Sequence, residues 1–180
     1  MRLPIEQIDE EGIEVVIEAG AEEFPVLEEI RERGEAGFEG PIRFEIRAVQ
    51  VENLFQVDGR FTARARLSCS RCLADFLLEL SEPFSLTYCP RSHMPEQERP
   101  GEETEVSPDE IDLIPFDGDE IDLLDGLQEQ LVMSLPVKPL CSPDCKGICP
   151  ECGADLNRNP CQCTKDSIDP RMAVLAKLKS

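Results

Sequence analysis

The chain has 180 residues, 41% of them hydrophobic but only 5% aromatic, and a net charge of −20. That length suits one ordinary domain with an appended module, around a small, aliphatic core. The charge excludes capture of bare nucleic acid by overall attraction, which needs a surplus of Lys and Arg, and no apolar run approaches the roughly 20 residues of a membrane span.

Residues 1–41 read as an acidic N-terminal segment. Its first 11 residues carry four acids and no apolar run, so they do not form a secretory signal, and a cytoplasmic location is expected. Ile13–Ala19 has the composition of a strand. Residues 25–33 predict a short helix, with Leu27 and Ile30 on one face and Gly34 at its end. Three glycines and Pro41 then mark 34–41 as a loop.

Residues 42–89 predict an antiparallel β-meander. Ile42, Phe44, Ile46 and Ala48 alternate with Arg43, Glu45, Arg47 and Val49, the period of a strand with one buried face. Residues 54–57 and 61–67 flank Asp58-Gly59, a two-residue hairpin signal. A further strand over 76–88 contains Pro83, which implies an edge or a break. Residues 90–108 are proline-rich and acidic and predict a disordered loop holding His93, the single histidine. Residues 109–140 return to the same domain. A short strand is expected at 111–115, a turn at Asp117-Gly118, and a helix capped by Asp122 with Leu124, Leu127, Leu131 and Leu135 on one face. Asp169-Pro170 opens a last short helix, with Val174, Leu175 and Leu178 on its apolar face.

The fold class expected is therefore α+β, a meander packed with a leucine-faced helix. To it is added a Cys-rich, zinc-ribbon-like module over 141–180. Six of the nine cysteines fall within 141–163, at gaps of three, three, two, eight and one residues, and Cys69 and Cys72 stand far upstream. Two cysteines two residues apart place both sulfurs on one ion in a tight turn, and tetrahedral zinc takes four such thiolates. Pro150 and Gly153 suit that turn. Cys149, Cys152, Cys161 and Cys163 form one expected site. Cys69, Cys72, Cys141 and Cys145 are left for a second, joining the middle of the chain to its last quarter, so two structural zinc ions are expected. Exchange of Cys145 with Cys149, or entry of Cys89 or His93, would also satisfy the spacing. A disulfide framework needs a secreted setting, and a redox Cys-x-x-Cys needs a strand–helix context.

Residues 43–71 hold six arginines against three acids, although the whole chain is acidic. Arg43, Arg47, Arg60, Arg64 and Arg66 fall on polar strand positions. They suit a solvated face with cross-strand ion pairs, or a contact patch for RNA or an acidic partner. The first reading leads, because charged side chains ordinarily face water. There is no phosphate-cradling glycine loop and no Ser/His/Asp set. Asp117, Asp119, Glu120 and Asp122 are the acids best grouped for Mg²⁺, and they read more simply as a solvated turn. No catalytic residue is assigned.

Four blocks in order carry a resemblance: LSCSRCL at 67–73, DLLDGLQEQLVMSLPVKPLC at 122–141, CKGICPECGADLNRNPCQC at 145–163 and DPRMAVLAKLK at 169–179. The chain resembles the bacterial YceD family of large ribosomal RNA subunit accumulation proteins over residues 42–180. The resemblance implies a cytoplasmic, non-catalytic ribosome biogenesis factor needed for normal accumulation of 23S ribosomal RNA. The acidic bulk of the chain suits a ribosomal protein or pre-large-subunit particle as partner, and the arginine stripe is the expected place of any rRNA contact. The eight cysteines of the two expected sites match the family's motif positions; Cys89 matches none. The competing expectation is a zinc- or redox-responsive regulator.

Overall fold

A computed structural model describes residues 1–93, 113–159 and 161–163. In chain order its elements are β1 (Arg2–Pro4), β2 (Ile13–Ala19), α1 (Pro25–Glu32), β3 (Ala36–Phe38), β4 (Ile42–Val51), β5 (Leu54–Ser68), β6 (Asp75–Pro90), β7 (Leu113–Phe116), β8 (Glu120–Asp122) and α2 (Leu124–Met133). The class is mixed α+β and mostly strand. Most of the expected disordered loop (94–108) and the expected terminal helix lie outside the described residues.

The main sheet runs β2-β4-β5-β6-β7, and the short β3 pairs the far end of β5. The contacts from β2 to β6 are antiparallel; β7 joins β6 in parallel. Strict alternation decides which face is inside. Ile42, Phe44, Ile46 and Ala48 on β4 and Phe55, Val57, Phe61, Ala63, Ala65 and Leu67 on β5 are all buried. Phe44 is the centre of this layer, with the rings of Phe24, Phe61 and Phe84 at 6.0, 6.0 and 6.3 Å. Such tilted and edge-on pairs add to the burial term.

Both helices cover that face. Leu27 and Ile30 of α1 and Leu127 and Leu131 of α2 are buried in the same core as the sheet residues. Leu124 and Leu135, the ends of the expected stripe, are half-buried. The helix α2 lies close on β6: a Cβ at Gly126 would come 2.7 Å from the Tyr88 hydroxyl and 2.8 Å from Leu86. Gln128 is the one buried polar side chain of the described core. Its Oε1 accepts the Val26 amide of α1 at 3.3 Å and its Nε2 donates to Asp125 at 3.1 Å. A free first-turn N–H of one helix is thereby satisfied by the other.

The structure corrects two expectations. Asp58-Gly59 is not a hairpin; it lies inside the continuous β5, and the turn is Glu52-Asn53, with Glu52 at φ +56°. Gly59 occupies an inward position where a Cβ would sit 2.5 Å from the Glu45 carbonyl and 2.7 Å from the Phe84 ring. The glycine serves close packing, not a turn. The expected loop 34–41 contains β3, and the N-terminal segment contributes β1, paired with β8. Pro83 lies on β6 opposite Arg60, outside the stretch paired with β7, so no described strand adjoins β6 there on the side away from β5. Asp122, expected as the cap of α2, stands one residue before its N-cap, Leu123, and accepts the Leu124 amide at 3.0 Å.

Candidate metal centres

The long β5–β6 hairpin ends in a turn over residues 69–74. There the Cys69 amide donates to the Ala74 carbonyl at 2.9 Å and the Leu73 amide to the Cys69 carbonyl at 2.9 Å, with Leu73 at φ +60°. Residues 149–154 repeat the pattern. The Cys149 amide donates to Ala154 at 2.8 Å and the Gly153 amide to Cys149 at 2.9 Å, with Gly153 at φ +72°. Each turn is a knuckle that points two cysteines the same way and ends on a residue in the left-handed region.

Each knuckle meets a second cysteine pair. Beyond α2 the chain returns to the hairpin tip, where the Ser70 amide donates to the Pro139 carbonyl at 2.8 Å. This brings Cys141 and Cys145 to Cys69 and Cys72. Two sulfur pairs, Cys69–Cys145 and Cys72–Cys141, lie 3.7 and 3.6 Å apart. Cys149, Cys152, Cys161 and Cys163 form the other set, and within each set all four sulfurs lie within 4.8 Å of one another. All nine cysteines are free thiols. A tetrahedron with metal–sulfur bonds of about 2.3 Å has edges of about 3.8 Å, so the closest separations fit four sulfurs around one ion. They are far beyond a disulfide bond of about 2.05 Å. Both sets could hold a metal ion.

The electrostatics point the same way. Cys69 is lowered to about 6, chiefly by the Cys141 amide donating to its sulfur, while Cys141 is pushed up to about 12, chiefly by its hydrogen bond with Cys72. In the other set, Cys149 is lowered to about 7, chiefly by the Cys152 amide, and Cys163 is pushed up to about 12 by its bond with Cys152. Each set thus stabilises one thiolate and resists more negative charge. A dication in the middle would reverse that resistance.

Two residues outside the expected ligand sets bind the arrangement together. The Arg71 guanidinium, between Cys69 and Cys72, donates to the Cys145 carbonyl at 2.8 Å and to Pro143 at 3.4 Å. Its own carbonyl accepts the Ile148 amide at 3.1 Å. Asn157 accepts the Lys146 amide at 2.7 Å and donates through Nδ2 to the Cys145 sulfur at 3.4 Å. In the sequence Arg71 reads as one more arginine of the stripe and Asn157 as a turn residue; cysteine spacing holds no signal for either role.

Cys89 is buried away from both sets, and His93 is exposed in a one-turn helix; neither joins a set. The arginines of the stripe share the outer face of the sheet with acids. Arg43 meets Glu18 at 2.8 Å and Glu45 at 3.2 Å, Arg47 lies 3.9 Å from Glu14, and Arg66 pairs with Glu39. Arg60 donates to the Ser81 carbonyl at 3.0 Å. Among the described residues no carboxylate lies within ion-pair distance of Arg64. The acids at 117–122 are also partly paired, Asp117 with Arg91 and Glu120 and Asp122 with Arg2. Among the described residues, no helix is long and apolar enough to cross a membrane.

The model of the family described as large ribosomal RNA subunit accumulation protein YceD matches residues 57–179. An uncharacterized protein of Mycobacterium bovis is 28% identical over 138 residues, 74% of this chain and 60% of the relative. One of Mycobacterium leprae is 29% identical over 142 residues, 77% of this chain and 59% of the relative. A chloroplastic large ribosomal RNA subunit accumulation protein YCED homolog 1 of Arabidopsis thaliana is 23% identical over 168 residues, 77% of this chain and 49% of the relative. The chain therefore spans about 60% of the length of the mycobacterial relatives. No solved structure matches it. The family match takes in β6, α2, both knuckles and all eight clustered cysteines, and by it the chain belongs to the YceD family of large ribosomal RNA subunit accumulation proteins.

Proposed function

We propose that this protein is a cytoplasmic ribosome biogenesis factor that supports accumulation or processing of 23S ribosomal RNA, and that it acts by binding and not by catalysis. The observation that carries this reading is the family match over residues 57–179, which spans both cysteine sets. The sets are read as two structural zinc sites, Cys69/Cys72/Cys141/Cys145 and Cys149/Cys152/Cys161/Cys163, the second within a zinc-ribbon-like module. Four thiolates complete tetrahedral coordination, which leaves no open position for activating water or substrate. Bound zinc would supply a rigid joint between the hairpin tip and the segment after α2.

The partner proposed is a basic ribosomal protein or the pre-large-subunit particle that carries it, drawn by the charge of −20. An rRNA contact through Arg43, Arg47, Arg60, Arg64 and Arg66 takes second place. Arg43, Arg47 and Arg66 already face carboxylates, so phosphate would have to displace those acids. Sucrose-gradient profiles and 23S levels in a deletion strain test the proposal. A deficit of large subunits is expected; normal 23S levels and normal large subunits would rule it out. The exposure of Cys152 and Cys163 favours a second reading, a zinc- or redox-responsive regulator. Zinc that stays bound under mild peroxide would exclude it.

A further inference from the structure

The two cysteine sets are built differently, and we infer that they divide the work: Cys149/Cys152/Cys161/Cys163 is the exchangeable metal site, Cys69/Cys72/Cys141/Cys145 is the permanent one, and Asn157 relays the state of the first-named to the second. This rests on the metal reading proposed above and goes beyond it.

Access differs between the sets. In the permanent set Cys69 and Cys145 are 0% and 4% exposed, Cys72 is half-buried, and only Cys141 is exposed. In the exchangeable set Cys149 is buried, but Cys152 and Cys163 are both exposed and Cys161 is half-buried. An incoming ligand can reach an open edge of that set.

Mechanical support differs as well. To open the permanent set, the hairpin tip must part from the segment after α2. That breaks the Ser70–Pro139 and Ile148–Arg71 backbone bonds and the Arg71 contact with the Cys145 carbonyl. The run holding Cys161 and Cys163 makes no backbone–backbone hydrogen bond with another described residue. Among the described residues, parting its two sulfurs from Cys149 and Cys152 breaks no backbone–backbone hydrogen bond, and elements with few such bonds open at low free energy.

Asn157 lies in the loop between Cys152 and Cys161, yet its Nδ2 donates to the Cys145 sulfur of the other set. It is held by Asp155, which accepts from Nδ2 at 2.8 Å and from the Asn157 amide at 2.9 Å. Donors of this kind orient a ligand and temper its charge, and their loss costs roughly 10–100-fold in metal affinity. When the exchangeable set empties, the Cys161 end of the loop carrying Asn157 is released while the Leu156–Gly147 and Lys146–Asn157 bonds still hold its start, so the donor to the permanent set is weakened. Asn157 is a positioning residue, and the exposed edge at Cys152 and Cys163 is where an incoming ion or chelator enters.

The test uses the full chain loaded with two equivalents of Zn²⁺ and placed in excess Zn²⁺ of a second stable isotope, so that the exchangeable set stays filled while replacement of the bound ions is followed by elemental mass spectrometry after rapid desalting. The wild type should exchange one equivalent quickly and one slowly. Cys163→Ser should lose the fast phase, and its remaining phase should run faster than the wild-type slow phase. Asn157→Ala should quicken the slow phase about tenfold. Asn157→Asp, which retains an acceptor for Lys146 but no donor for Cys145, should quicken it too. Two equivalents leaving in one phase, or a fast phase surviving in Cys163→Ser, would overturn the division of labour. A slow phase unmoved by both Asn157 variants would overturn the relay. Failure to bind two equivalents at all would remove the metal reading itself, an outcome distinct from equal exchange of two bound ions.

Discussion

The knuckles at 69–74 and 149–154 share one backbone plan and two very different settings. In both, the first cysteine's amide bonds to an alanine carbonyl five residues on, and the residue after the second cysteine turns left-handed. The first knuckle is the tip of two long strands whose inner faces lie in the core; the second sits in a short loop closed by the single bridge Ile148–Asp155. The first uses Leu73 at the left-handed position and leaves it 67% exposed, whereas the second uses glycine. The difference teaches that a metal turn is specified locally, by cysteine spacing and amide geometry, while its stability comes from what it is attached to. The first knuckle tolerates a strained leucine because the sheet holds it in place.

Four experiments would break or sharpen that contrast, in order of expected effect. Cys69→Ser should cost about 4–5 kcal/mol or more, the range for losing a structural metal. Cys149→Ser should lose one equivalent of metal and leave the sheet intact. Thermal melts with metal analysis check this, and equal losses of stability in the two variants would erase the contrast. Arg71→Ala should cost about 1.5–3 kcal/mol, because a charged donor leaves the Cys145 carbonyl; a denaturant midpoint unchanged at constant slope would show that the clamp contributes nothing.

The left-handed positions come next. Gly153→Leu has open space around it, so it should lose about 1–2 kcal/mol through backbone strain alone. Leu73→Gly should gain about 0.5–1 kcal/mol, less than the full strain because glycine also loosens the unfolded chain. Melts of the two variants opposite in sign are expected; a destabilised Leu73→Gly would mean that the leucine packs usefully.

The smallest effect concerns pH. The Cys69 thiol is depressed to about 6 in the folded apo-protein and Cys141 is raised to about 12. Above pH 6 Cys69 is already a thiolate, and an arriving ion need not displace its proton; below pH 6 it must. The logarithm of affinity at the first site should therefore fall more steeply with acid below about pH 6 than above it. Competition titrations across pH 5–8 measure this, and a slope that does not steepen would contradict the depressed Cys69.

Much of the sheet was legible from the chain because alternation at period 2 is a direct image of a half-buried strand. Ile42, Phe44, Ile46 and Ala48 announce their burial without help. Asp58-Gly59 misled because the same dipeptide suits a turn or a close approach, and only the Glu45 carbonyl and the Phe84 ring, distant in sequence, decide between them. The strands β1, β3 and β8 are three residues each, too short for a period to show, and their pairing partners lie far away. Cysteine spacing pointed to two sets of four, whereas Arg71 and Asn157 carry no mark of the contacts they make.

By itself the amino-acid order determined the local things: which residues alternate, where helices begin, and which cysteines form tight turns. These depend on neighbours within a few positions, whose geometry the backbone dictates. The tertiary structure alone decided that the hairpin tip meets the segment beyond α2, that Gly59 serves packing, and that Asn157 reaches across from one sulfur set to the other. Those outcomes depend on atoms that become neighbours only when the apolar face of the sheet is covered, and no local pattern encodes that event.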